Sequence, residues 1–177
     1  RTYPNLLLAG VCITGPMECV VSDMTVFYVK GTYYELTLYM DLWNDELIAH
    51  ALSSRRGDRM TYLDGLQDVL AFKKQYPEQK LILHSDQGSQ STSDEFVEYC
   101  ERMRVTQSMS QAGYPYDNAP MERYFNTLKN DLIHEHSYKT EDELYRSIEE
   151  YAYVTYNHAR PHSYNGYKTP FEARYIA

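Results

Sequence analysis

An α/β domain with five strands is the fold class this sequence predicts, and three observations carry it. Between Cys19 and Leu52, three consecutive runs are rich in β-branched and aromatic residues. After Gly57-Asp58, helical spacing alternates with short apolar runs. With 43% hydrophobic residues over 177 positions, the chain can bury one substantial core and is short for two independent domains.

The elements follow in order. The apolar stretch from Leu6 to Ile13 is far shorter than the roughly 20 residues of a membrane-spanning helix. Residues 1–17 are therefore expected to be an ordered lead-in to a core over residues 18–177. Residues 19–29, 33–42 and 46–52 read as successive antiparallel strands, with Lys30-Gly31 and Asn44-Asp45 at the turns. Leu63, Leu66, Val69, Leu70 and Phe72 have helical spacing until Pro77 stops them, and Leu81-Ile82-Leu83 reads as a short buried strand. Thr92 with Glu95 has the form of a capping box for a helix reaching about residue 103, and residues 105–108 read as the fifth strand. Residues 109–118, with Gly113 and Pro115, should form a loop before a helix that starts near Asn118 and Pro120. Met121, Phe125, Leu128 and Leu132 are its expected buried stripe. Thr140 with Glu143 repeats the capping form before a last long helix whose inner face is Leu144, Ile148, Ala152 and Tyr156. The resulting order is β-β-β-α-β-α-β-α.

A formal charge of −8 argues against a chain that binds DNA through bulk cationic charge. The three cysteines, Cys12, Cys19 and Cys100, form no Cys-x-x-Cys pair, so neither a disulfide framework nor a zinc knuckle is expected, and a reducing cytoplasm fits best. No Gly-x-Gly-x-x-Gly or Walker loop points to a nucleotide cofactor.

Three acidic residues stand out. Asp86 follows the fourth strand within His84-Ser85-Asp86-Gln87-Gly88, at the strand end where α/β sheets commonly hold ligands. Asp23 lies on the first strand, and Glu122 opens a helix after 35 intervening residues. Taken singly, such an Asp caps a turn and such a Glu complements a helix dipole. Three carboxylates converging within about 4–6 Å would repel one another enough to require a proton or a cation. Oxygen ligands without Cys or an adjacent His pair favour Mg2+ or Mn2+ over zinc. His134 and His136 flank Glu135, but a bare His-x-His is weak evidence for zinc.

Several blocks share a resemblance. Ser22-Asp23-Met24-Thr25, Asp41-Leu42-Trp43 and His84-Ser85-Asp86-Gln87-Gly88-Ser89-Gln90 occur in order, followed by Asp117-Asn118-Ala119-Pro120-Met121-Glu122 with Lys129 seven residues after the Glu. Toward the end come Tyr156-Asn157-His158-Ala159-Arg160-Pro161-His162 and Gly166-Tyr167-Lys168-Thr169-Pro170. Over about residues 16–170 the chain resembles the catalytic cores of bacterial insertion-sequence transposases, which are related to retroviral integrases. It departs from the usual pattern at Val20 and Val26, where Trp and Tyr are common, at Arg123, where Ser is usual, and at Asn165, where Leu is common.

The resemblance implies a ribonuclease-H-like fold, a five-stranded mixed sheet flanked by helices. It implies metal-dependent DNA cleavage and strand transfer, with Asp23, Asp86 and Glu122 as catalytic ligands of two Mg2+ or Mn2+ ions. Lys129 and Asn126 would contact DNA, although a solvated helix charge is the plain alternative for Lys129. Arg160, Lys168 and Arg174, interleaved with Tyr164, Tyr167 and Tyr175, form either a basic-aromatic DNA surface or a tail packed by its tyrosines. Asn118 would cap the helix bearing Glu122. His84 would steer a metal-bound water or anchor its strand end. Expected partners are the element's DNA ends and target DNA, a second copy of the chain on DNA, and an upstream DNA-binding region, since the chain opens at Arg1 rather than Met. The expected place is the bacterial cytoplasm at the nucleoid, with no membrane association. Two other readings stay open: a nuclease of the same fold that only hydrolyses nucleic acid, and a non-catalytic copy serving as an interaction module.

Overall fold

The computed structural model describes residues 2–110 and 119–176. Five strands form one mixed sheet: β1 (Cys19–Val29), β2 (Thr32–Asp41), β3 (Glu46–Ser53), β4 (Ile82–Ser85) and β5 (Thr106–Met109), in the order β3-β2-β1-β4-β5. The first three are antiparallel neighbours, and β4 and β5 join parallel to β1. Parallel neighbours need crossovers, supplied by α1 (Met60–Lys73) and α2 (Asp94–Arg102). Beyond the sheet come α3 (Ala119–Leu128), α4 (Glu141–Glu149) and α5 (Pro170–Tyr175).

Strand residues alternate between two cores. Val21, Leu36, Leu38, Met40 and Leu47 pack with α3, α4 and the turns after them, whereas Val20, Tyr39, Ile48, Ala49 and Leu83 pack with α1 and α2. Burial on both faces explains why these strands read as continuous apolar runs rather than alternating ones. Lys30 and Gly31 both have positive φ, 50° and 79°, the twist a two-residue hairpin turn demands. At α1, a Cβ on Gly65 would lie 2.2 Å from the Tyr39 ring. The bare glycine lets the helix settle on the sheet, and the Tyr39 hydroxyl donates to the Tyr62 carbonyl at 2.7 Å.

Local differences from the sequence expectation have identifiable causes. The N-cap of α2 is Ser93, whose hydroxyl accepts from the Phe96 amide, while Thr92 turns back to donate to the Gly88 carbonyl. Thr140 caps α4 as expected, but the Glu143 carboxylate reaches the Lys139 amide, one residue before the cap. After Leu128 the helix widens into π-type turns over Lys129–His134, and again over Glu150–Ala159 after α4. A π turn closes five residues on rather than four. Ile133, not Leu132, therefore continues the buried stripe from Leu128. Thr169 and Glu172 make a complete capping box at α5.

The lead-in runs beside β5: the Leu6 amide donates to the Ser108 hydroxyl at 3.0 Å, and the Met109 amide to the Pro4 carbonyl at 3.3 Å. Met17 is fully buried. At the opposite edge, the Asn157 side-chain amide both accepts from the Leu47 amide (2.9 Å) and donates to the Leu47 carbonyl (2.8 Å), covering β3 as a further strand would. Among the described residues, no helix is long and apolar enough to cross a membrane.

Candidate active site

Parallel pairing of β1 with β4 brings two of the three acids together. The last register pair is Ser22 with Ser85, so Asp23 and Asp86 are the next residues along neighbouring strands. Strands in a sheet lie about 4.8 Å apart, which sets these two residues side by side although 62 residues separate them in sequence. Asp23 is half-buried within β1, and Asp86 is exposed at the C-terminal end of β4. Both act on the phenol of Tyr62 on α1, whose ionisation is pushed up by burial first, then by Asp86, Asp23 and Glu35.

Asp86 is set by the turn that follows it. Its Oδ1 accepts from the Gly88 amide at 3.0 Å, and its carbonyl accepts from the hydroxyls of Ser85 and Ser91, both at 3.1 Å. A Cβ at position 88 would lie 2.8 Å from that same Oδ1. The glycine of the His-Ser-Asp-Gln-Gly block is thus the residue that leaves room for the carboxylate. Asp23 Oδ1 accepts from the Met24 amide at 2.8 Å. His84 is buried, with Nδ1 2.9 Å from the Ser108 hydroxyl that also receives the Leu6 amide. These bonds tie β4 to β5 and the lead-in, the anchoring geometry of the two roles considered for it.

Glu122 is exposed in the first turn of α3 and does not join the aspartates: among the described residues, no three His, Cys, Asp or Glu side chains are grouped closely enough to hold a metal ion. Asn126 is exposed and Lys129 half-buried on the same side of that helix. Asn118, with the loop before it, lies outside the described residues.

The C-terminal cations divide. Arg160 is exposed, 3.7 Å from Asp131 and bonded to the Tyr151 hydroxyl, and the Lys168 ammonium donates to the Ile176 carbonyl at the surface. Arg174 corrects the expectation of a basic tail, because its side chain is only 1% exposed. It donates to Asp41 at 2.8 Å, to Asn44 at 3.0 Å and to Glu46, and its guanidinium lies over the rings of Trp43, Phe72 and Tyr76. Asp41, wholly buried, also accepts from the amides of Met17 and Trp43. The Asp41-Leu42-Trp43 block is therefore the socket for α5. Tyr164 and Tyr167 are exposed, and Tyr175 is partly so.

The sequence reading passed over Tyr62 and Gly88. Gly88 was visible as part of its motif, whereas Tyr62 has no local signal and gains its position from the way α1 crosses the sheet.

A mixed sheet in this strand order, with an acidic pair at the junction of its first and fourth strands, defines a ribonuclease-H-like catalytic-core fold. Solved structures agree. The catalytic core domain of HTLV-2 integrase in complex with magnesium superposes with a TM-score of 0.62 at 18% identity, covering 90% of this chain and 97% of that one. The catalytic domain of Mos1 mariner transposase gives a TM-score of 0.62 at 15% identity, over 77% of this chain and 70% of that one. Two family models, both described as integrase core domain, match residues 13–115 and 103–170, and the chain belongs to that family. The transposase of insertion sequence element IS904 from Lactococcus lactis is 36% identical over 94% of this chain and 65% of its own length. Transposase InsF of insertion sequence IS3A from Escherichia coli is 29% identical over 98% of this chain and 60% of its own length. The chain thus spans less than two thirds of either relative.

Proposed function

We propose that this chain is the catalytic core of a DNA transposase, cutting DNA and joining the cut end to a target by metal-dependent phosphoryl transfer. The observation that carries the reading is the side-by-side pair Asp23 and Asp86 at the C-terminal junction of two parallel strands in an integrase core fold. Two carboxylates on neighbouring strands are hard oxygen donors suited to Mg2+ or Mn2+. Gly88, too close to Asp86 to carry a side chain, keeps one of them accessible. The HTLV-2 core and the Mos1 domain have been solved with magnesium or manganese.

In this reading Asp23 and Asp86 hold the ions, with Glu122 as the third ligand, and the approach of Glu122 to the aspartates is part of the proposal. Ions held by these carboxylates would supply the positive charge that phosphoryl transfer needs. Asn126 and Lys129, about one and two turns beyond Glu122, hold the phosphate backbone beside the acids. Tyr62 walls the site with a phenol that stays protonated at neutral pH. His84, through Ser108, keeps the end of β4 in place as a positioning residue. The DNA partners are element ends and target, and the active form is an oligomer on DNA. Recognition of the ends falls to parts of a longer protein, as the greater length of the relatives suggests.

Calorimetric titration of Mn2+ into the chain and into an Asp23→Asn, Asp86→Asn variant tests the reading. Heat of binding that vanishes in the variant supports the site, whereas equal binding by both proteins overturns it. A covalently joined donor–target product, lost in Asp86→Asn, separates strand transfer from simple hydrolysis.

A further inference from the structure

The helix that carries Glu122 has a second exposed face. At about 100° per residue, Glu122, Asn126 and Lys129 line one side of α3, and Pro120, Arg123 and Thr127 line another, about 125° around. This second face forms one wall of a cleft of about 530 Å3. The opposite wall is the segment after the last π-type turns, including Arg160, His162 and Tyr164, with Asp45 from the β2–β3 turn at its edge. The volume falls in the usual range for a small-ligand site.

Two arginines from separate elements therefore meet at one cleft. Arg123 is exposed and makes no close ion pair among the described residues. Arg160 makes an exposed 3.7 Å bridge to Asp131 and a long 3.4 Å bond to the Tyr151 hydroxyl, and the bridge is a contact of small energetic value that an incoming anion can replace. Asp45, attracted by Arg123, offsets one of these charges and leaves two arginines against one carboxylate in the lining. Tyr164, 65% exposed beside Pro161, adds an open ring on which a base can stack.

We infer that this cleft binds one unpaired nucleotide of a DNA strand, with its phosphate against Arg123 and Arg160 and its base against Tyr164. The inference rests on the transposase reading for the identity of the strand. It adds a contact separate from the Glu122 face, so that a strand crossing the acids would turn around α3 into the cleft.

Fluorescence anisotropy with a labelled oligothymidine and with a duplex of equal length tests it, using the intact chain, Arg123→Ser, Tyr164→Ala and Lys129→Ala. Thermal unfolding is the check that each variant folds. The expected result is a loss of fivefold or more in oligothymidine affinity for both Arg123→Ser and Tyr164→Ala, a shallower salt dependence for Arg123→Ser, and unchanged Mn2+ binding. If both variants bind oligothymidine like the parent chain, or the parent binds none at low salt, the cleft assignment is overturned. If Arg123→Ser weakens binding while Tyr164→Ala does not, the site takes an anion only and the nucleotide assignment fails. Loss of duplex binding in Lys129→Ala with intact Mn2+ binding would leave the transposase reading standing in either of those cases. Loss of oligothymidine binding in the cleft variants without any Mn2+ site would sustain the cleft and sink the catalytic reading.

Discussion

Asp41 and Asp86 end neighbouring regions of one sheet, and they have opposite surroundings. Asp41, at the end of β2, is fully buried and meets Arg174, Met17 and Trp43. Asp86, just past β4, is exposed, next to Asp23, with no lysine or arginine paired to it among the described residues. Burial pushes the Asp41 carboxyl up and the Arg174 charge opposes that shift, while Glu46 and Asp41 together hold Arg174 protonated despite its burial. The first aspartate uses its charge to fasten the C-terminal helix. The second stays exposed, and in the proposed reading its carboxylate holds a metal ion.

That contrast predicts a graded series of stability effects. Arg174→Met should be the most damaging change, about 3–5 kcal/mol by urea unfolding, because it strands Asp41 and Glu46 as buried charges. A loss below 1 kcal/mol, on the order of an exposed pair, would break the comparison. Asn157→Ala comes next, at about 1–3 kcal/mol, since both Leu47 backbone groups at the β3 edge lose their partner.

Asp45 lies between the two extremes, 5% exposed and only partly compensated by Arg123. Its folded pKa of about 6 exceeds the ordinary value of 3.8. The folded state therefore holds a proton that the unfolded chain releases, and the stability this contributes below pH 4 is lost as pH rises from about 4 to about 6. Asp45→Asn should accordingly stabilise the protein by about 1–2 kcal/mol at pH 7.5 and by almost nothing at pH 4. Asn also suits the positive φ of 56° at this position. Thermal unfolding at the two pH values reads the difference, and an equal effect at both would show that the Asp45 charge does not matter.

At the carboxylate edge, stability should barely respond. Gly88→Ala is expected to fold normally and lower Mn2+ affinity about tenfold by displacing the Asp86 carboxylate, as changes behind a metal ligand do. Asp86→Asn should change unfolding free energy by less than about 0.5 kcal/mol while removing Mn2+ binding. A large loss of stability would make Asp86 a structural residue like Asp41.

Much of the fold was legible because its signals are local. The strand runs, the Lys30-Gly31 turn and the Thr140 cap each depend on a few adjacent residues, and all appear where expected. Adjacent candidates caused the small misses: Thr92 and Ser93 can both cap, and only the competing Gly88 carbonyl decides between them. The π-type turns were hidden because Leu132 and Ile133 are both apolar, so either satisfies the stripe. The Thr169-Pro170-Phe171-Glu172 cap could have been found by the same rule that found Thr140. At the candidate site, the Asp23 and Asp86 motifs were readable, whereas Arg174 looked like any surface cation in a tyrosine-rich tail.

By itself, the sequence determined the order of elements, the hairpin, most helix starts and the two aspartate motifs, because backbone sterics and capping act within a few residues. Tertiary structure alone decided that Asp23 and Asp86 stand together, that Arg174 is buried on Asp41, that Asn157 closes the β3 edge, and that Arg123 and Arg160 share a cleft. Each of these depends on strand register or helix docking between distant segments. The same aspartate or arginine becomes structural or available according to which neighbours exclude water from it.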